Sequence, residues 1–140
     1  MEKILKYSKY TLFVLLIALF SCETDEDDNP DPTDPRDKFL GSWNVNETCT
    51  RGVYSVQISE DPDNSAQVLI KNFANPGFEV GEPAVGLVIN DVIKLDPNHK
   101  IGDDWTVDGQ GEMINDNRME WEYELYIGGG KDGCTAVYAR

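Results

Sequence analysis

The chain has 140 residues, room for one domain, and sets 26 acidic side chains against 12 basic ones, a formal charge of −14 at pH 7. Lys3, Lys6 and Lys9 against Glu2 leave residues 1–21 at +2, so the remainder sums to −16. This acid excess excludes a nucleic-acid footprint, which needs clustered Lys and Arg, and it opposes adsorption to anionic lipid, so any membrane link has to be covalent.

Residues 1–21 have the form of an export signal: a lysine-bearing start, the apolar run Thr11 to Phe20, then the small Ser21 before Cys22. Ten residues are too few to span a bilayer core, which takes about twenty. Leu19-Phe20-Ser21-Cys22 resembles the bacterial lipobox. That resemblance implies cleavage before Cys22 and lipidation of its sulfur and new α-amine with acyl chains such as palmitate. Two or more chains give stable anchoring where one holds only marginally. Residues 22–37 then form a tether. Glu23 to Asp37 holds eight acids and three prolines, a composition that cannot bury apolar surface and, at about 3.1 Å per residue, reaches roughly 45 Å. Acids this close to a lipobox cysteine resemble the surface-export signal of Bacteroidetes-type lipoproteins. The implied address is the outer membrane, facing the medium; a spacer on a periplasm-facing lipoprotein is the alternative.

Residues 38–140 form the folded domain. Period-two alternation runs through it, broken by turn residues, and no helical period persists for three turns. In chain order the expected strands are Ser42 to Thr50, Val53 to Glu60, Ala66 to Phe73, Pro83 to Asn90, Asp91 to Asp96, Trp105 to Ile114 with a break at Gly109, Met119 to Ile127, and Cys134 to Ala139. The clearest is Met119 to Ile127, with Met, Trp, Tyr, Leu and Ile on one face and Glu120, Glu122 and Glu124 on the other. Turn clusters such as Asp61-Pro62-Asp63-Asn64, Asn75-Pro76-Gly77 and Gly128 to Gly133 separate them. The reading is all-β, an antiparallel up-and-down meander closed into a small barrel, with a β-sandwich as the alternative. Closure makes the first and last strands neighbours and so predicts a Cys49–Cys134 disulfide, which persists in an exported protein. Two buried free thiols are the competing expectation.

Phe39-Leu40-Gly41-Ser42-Trp43 resembles the G-x-W opening of lipocalin-like barrels. The resemblance implies that Trp43 plugs the barrel floor and that Arg140 is the basic residue packed on it. Gly41-Ser42-Trp43-Asn44-Val45-Asn46-Glu47-Thr48-Cys49, Tyr54-Ser55-Val56-Gln57-Ile58 and Cys134-Thr135-Ala136-Val137-Tyr138 are similar to segments of small uncharacterised Bacteroidetes lipoproteins. That family has no assigned activity, so the likeness bears on fold and address alone.

The motifs that would carry catalysis fail on context, so no enzyme and no cofactor is expected. Gly128-Gly129-Gly130-Lys131-Asp132-Gly133 fits G-x-G-x-x-G by letter but leads into a strand, where pyrophosphate binding needs a helix N-terminus. The single histidine, His99, lies in a polar turn, which removes Ser/His and Cys/His nucleophile systems and histidine-rich zinc sites. Glu120, Glu122 and Glu124 have glycosidase-like spacing, as any alternating acidic strand does. The loop from Asp61 lacks the glycine and bidentate glutamate of a calcium hand, and Asp103, Asp104 and Asp108 read as solvated acids, so no metal site is expected. Aromatic residues on strands remain. Trp43, Tyr54, Trp105, Trp121 and Tyr123 are the candidate lining of a pocket at the barrel mouth for a small apolar or glycan-derived ligand. The alternative is a solid barrel whose outer face docks another envelope protein.

Overall fold

The computed structural model describes residues 33–49 and 52–140. The signal segment, Cys22 and the tether up to Pro32 lie outside the described residues, as do Thr50 and Arg51. A 3-10 turn, Asp37–Phe39, leads into eight strands: β1 Gly41–Glu47, β2 Val53–Glu60, β3 Gln67–Lys71, β4 Ala84–Ile89, β5 Val92–Leu95, β6 Thr106–Asn115, β7 Arg118–Ile127 and β8 Gly130–Ala139. They pair in sequence order, all antiparallel, and β1 pairs β8 to close the barrel. The expected meander is thus a barrel and not a sandwich.

Alternation decides which residues face the lumen. On β7 Met119, Trp121, Tyr123 and Leu125 are buried; on β1 Trp43, Val45 and Glu47 are. Between them, small residues let large ones lie flat. A Cβ on Gly111 would meet Cε2 of Trp121 at 2.3 Å, and one on Gly86 would meet Cγ2 of Ile93 at 2.3 Å. Gly109 does not break β6; pairing runs through it, and a Cβ there would meet the Glu122 carbonyl at 2.4 Å.

Strand ends shift by a few residues from the expected ranges, β1 ending at Glu47 and not at Thr50, and two of the shifts have local backbone reasons. Gly130 to Gly133, expected as loop, pairs with Ile127 to Glu124, because Gly128 (φ 55°) and Gly129 (φ 84°) complete the hairpin turn in two residues. Conversely β3 ends at Lys71, since Asn72, Ala74 and Asn75 all take positive φ and turn the chain inward.

The barrel has a floor and a mouth. At the floor the Arg140 guanidinium stacks on Trp43, 4.2 Å from the ring centroid, as the lipocalin likeness implies, and donates to the carbonyls of Leu40 (2.9 Å), Lys38 (3.1 Å) and Asp116 (2.8 Å). Trp43 Nε1 donates to the Phe39 carbonyl at 2.8 Å. The last residues before the domain are also fixed here. Arg36 is buried, pairs with Asp34, and donates to the carbonyls of Asn64 in the β2–β3 loop and of Gln67 at the start of β3, each at 3.3 Å. At the mouth, Cys49 and Cys134 form a disulfide across the β1–β8 seam, with Cα atoms 5.5 Å apart.

Candidate functional site

The mouth half of the lumen holds a carboxylate among aromatic rings. Glu47, the last residue of β1, keeps the inward parity of Trp43 and Val45 and is 5% exposed. Its Oε2 accepts the hydroxyl of Tyr54 from β2 at 2.7 Å and the hydroxyl of Tyr123 from β7. In register, Glu47 faces Ala136 of β8, and Ala136 faces Trp121 of β7. The small Ala136 therefore separates the carboxylate from the indole, and Tyr138 lies two residues further along the same face of β8.

Phe73 fills the centre of this nest. Its ring centroid is 5.1 Å from that of Trp121 and 4.9 Å from that of Tyr123, both edge-to-face, and 6.4 Å from Tyr138; Trp121 and Tyr138 are 5.2 Å apart. Phe73 comes from the β3–β4 loop. Asn72 holds that loop, donating from Nδ2 to the Ser55 carbonyl and accepting the Gly77 amide at Oδ1, both at 2.9 Å. A bond from the Glu82 amide to the Ile101 carbonyl at 3.1 Å joins it to the β5–β6 loop, and Phe73, Ala74 and Ile101 are fully buried beneath the pair.

The polar atoms of the nest are incompletely matched. Among the described residues Glu47 Oε1, Trp121 Nε1 and Tyr138 Oη are buried without a hydrogen-bond partner, and Glu47 has no basic partner. Burial holds all three phenols well above the ordinary tyrosine range. Tyr138 and Glu47 add to the effect at Tyr54, the Glu47 carboxylate adds at Tyr123, and Tyr123 and Glu47 add at Tyr138. The chemistry on offer is one unused acceptor on an anion, one indole donor and one phenol hydroxyl, walled by apolar rings.

Of the residues expected to line a pocket, Tyr54, Trp121 and Tyr123 meet in this nest. Trp43 is instead the floor plug, and Trp105 is half-buried just before β6. Glu47, Phe73 and Tyr138 are additional to that set. The parity of Glu47 with Trp43 and Val45 was the available signal for it; Phe73 had none, because Asn72 and Ala74 take it off the strand's alternation.

The other acidic candidates face outward. Glu120 pairs with Arg118 at 2.7 Å and Glu124 with Lys131 at 2.5 Å. With Asn46, Gln110, Glu112, Glu122 and Thr135, Glu120 lines an open groove that runs across β6, β7, β8 and the end of β1. Asp103 and Asp104 are exposed and Asp108 half-buried. Asp34, Asp37 and Glu60 bring carboxylate oxygens within 4.8 Å of one another, but Arg36 already pairs with two of them and lowers the Asp34 pKa through its hydrogen bonds.

No family model and no curated protein matches the chain. Among solved structures it is similar to a redesigned beta barrel, at 15% identity and a TM-score of 0.42, over 76% of this chain and 95% of that one.

Proposed function

We propose that the protein is a lipid-anchored cell-envelope binding module of the outer membrane, with no catalytic role, that takes one small ligand into the mouth half of its barrel. The observation that carries this reading is the set of three buried polar atoms unmatched among the described residues, Glu47 Oε1, Trp121 Nε1 and Tyr138 Oη, grouped in an aromatic nest. A core built for stability alone gains nothing from buried polar atoms left unpaired, each costing roughly 1–3 kcal/mol. An eight-stranded barrel has room either for side chains or for one small ligand. Phe73 takes that room here, from a loop and not from a strand, so a ligand enters by displacing it. The test is native mass spectrometry of the oxidised protein after exposure to host lysate. A small mass retained by the protein and lost on Phe73→Trp substitution supports the reading; the same mass on both leaves the nest unoccupied by it and defeats the reading.

The address rests on Leu19-Phe20-Ser21-Cys22 and the acidic stretch after it. Palmitate labelling of the wild type that disappears in Cys22→Ser, with release of that variant from the membrane fraction, is the expected result. Protease shaving of intact cells assigns the face.

One observation favours a second reading, docking of an envelope protein. Val85, Leu87 and Ile89 point outward from β4, with Leu69 facing Val85 and Val92 facing Ile89 on the adjacent strands. Lys94, opposite Leu87, and Lys71, two residues from Leu69, border this stripe, and neither is in a salt bridge among the described residues. The matching partner is a segment of apolar side chains flanked by carboxylates. A photocrosslinker at position 87, compared with one at 120 on the acidic face, tests it in cells; equal capture at both positions overturns docking through β4.

A further inference from the structure

We infer that the nest around Glu47 is a seat for a primary ammonium group carried on an apolar body about one ring in size. The inference rests on the ligand-binding reading above and gives it a chemical class. A buried carboxylate without a cation is costly, and two phenol hydroxyls on Oε2 satisfy only half of Glu47, leaving Oε1 as an acceptor with no donor among the described residues. An ammonium supplies both what that oxygen lacks, an N–H donor, and what the site lacks among the described residues, a positive charge. The unmatched Tyr138 hydroxyl offers a second acceptor, since a phenol oxygen accepts as well as donates. The walls fit the same class: Trp121, Tyr123 and Tyr138 present ring surface, and aromatic faces attract cations most strongly where water is excluded.

The size of the body follows from what occupies the seat. The Phe73 ring lies edge-to-face on Trp121 and Tyr123, so an arylalkyl group replaces it with the same contacts while its ammonium reaches toward Glu47. Phe73 is held from a loop in which Ala74 has φ 58°, a backbone conformation that non-glycine residues rarely adopt. The chain's acid excess attracts cations and repels anions.

The experiment is calorimetric titration of the purified full-length protein with phenethylamine, its neutral counterpart phenethyl alcohol, and the anion phenylacetate, with the Trp121 indole N–H resonance followed by NMR. Expected is saturable binding of the amine that moves that resonance, at least about tenfold tighter than the alcohol, with phenylacetate the weakest. Glu47→Gln is expected to abolish the amine's advantage over the alcohol. If amine and alcohol bind equally in the unaltered protein and both move the Trp121 resonance, the ammonium class is wrong and ligand binding stands. If no probe binds either the wild type or Phe73→Ala, in which the seat is cleared, the ligand-binding reading falls as well. The amine-to-alcohol comparison needs no variant, so the inference remains testable if Glu47→Gln does not fold.

Discussion

Glu47 Oε2 accepts the Tyr123 hydroxyl across 76 residues of sequence, tying the first strand to the seventh through the lumen. Tyr54 of β2 donates to the same oxygen, so one carboxylate links three strands at the mouth. Glu47→Ala leaves two phenol hydroxyls without their acceptor, and the expected loss is about 2–4 kcal/mol in urea unfolding. Glu47→Gln keeps an acceptor there and is expected to cost less than half as much. Equal losses for the two variants would show that the oxygen is not what holds the strands.

The phenols give the fold an alkaline limit. Tyr54, Tyr123 and Tyr138 have pKa values raised in the native state, chiefly by burial, above the value of about 10 they take when unfolded. Above that pH the unfolded chain releases protons that the native chain keeps, so stability falls as pH rises; below it these three groups contribute no slope. In spectrophotometric titration near 295 nm, these three tyrosines are expected to stay un-ionised past the ordinary range and then appear together as the protein unfolds. Smooth ionisation of all tyrosines near pH 10 with the fold intact would contradict their burial.

Much of the barrel was legible because its rule is local. Met119 to Ile127 shows its inward face in single-residue alternation, and Cys49 with Cys134 marks the closing seam once the strands are counted. The Trp43–Arg140 stack was accessible only through the family likeness, since nothing in the alternation links residues 97 apart. The site was half legible. Tyr54, Trp121 and Tyr123 stand out as large aromatic residues on strands, whereas Glu47 has the residue type of the solvent face on a lumen position. Phe73 enters the lumen through departures in backbone geometry on either side of it, at Asn72, Ala74 and Asn75, which alternation does not encode.

The position of Trp121 depends on an absent side chain. A Cβ at Gly111 would lie 2.3 Å from Cε2 and 2.4 Å from Cδ2 of the indole, so Gly111→Ala must push the ring off β6 and toward Phe73 and Tyr138. Such overpacking is expected to cost about 1–3 kcal/mol. It should also change near-ultraviolet circular dichroism while the far-ultraviolet β signal remains. Gly133→Ala, where no atom lies within 4 Å, is the control in the same sheet and is expected to change stability by less than about 0.5 kcal/mol.

Reduction tests how much of the closure belongs to the seam itself. β1 and β8 pair over only Asn44 to Glu47, while the disulfide just beyond joins residues 85 apart. On the loop-entropy estimate, a cross-link over that separation restricts the unfolded chain by about 4 kcal/mol, a large share of the 5–15 kcal/mol typical of a domain. The Cys49→Ser, Cys134→Ser double variant is therefore expected to lose about that much in urea unfolding with the native barrel retained at low temperature. The bonds from Thr48 to Thr135, through the backbone amide (3.0 Å) and from Thr135 N–H to the Thr48 hydroxyl (3.0 Å), still register the seam without sulfur. A variant as stable as the wild type would show that these bonds and the Glu47 nest close the barrel without the cross-link.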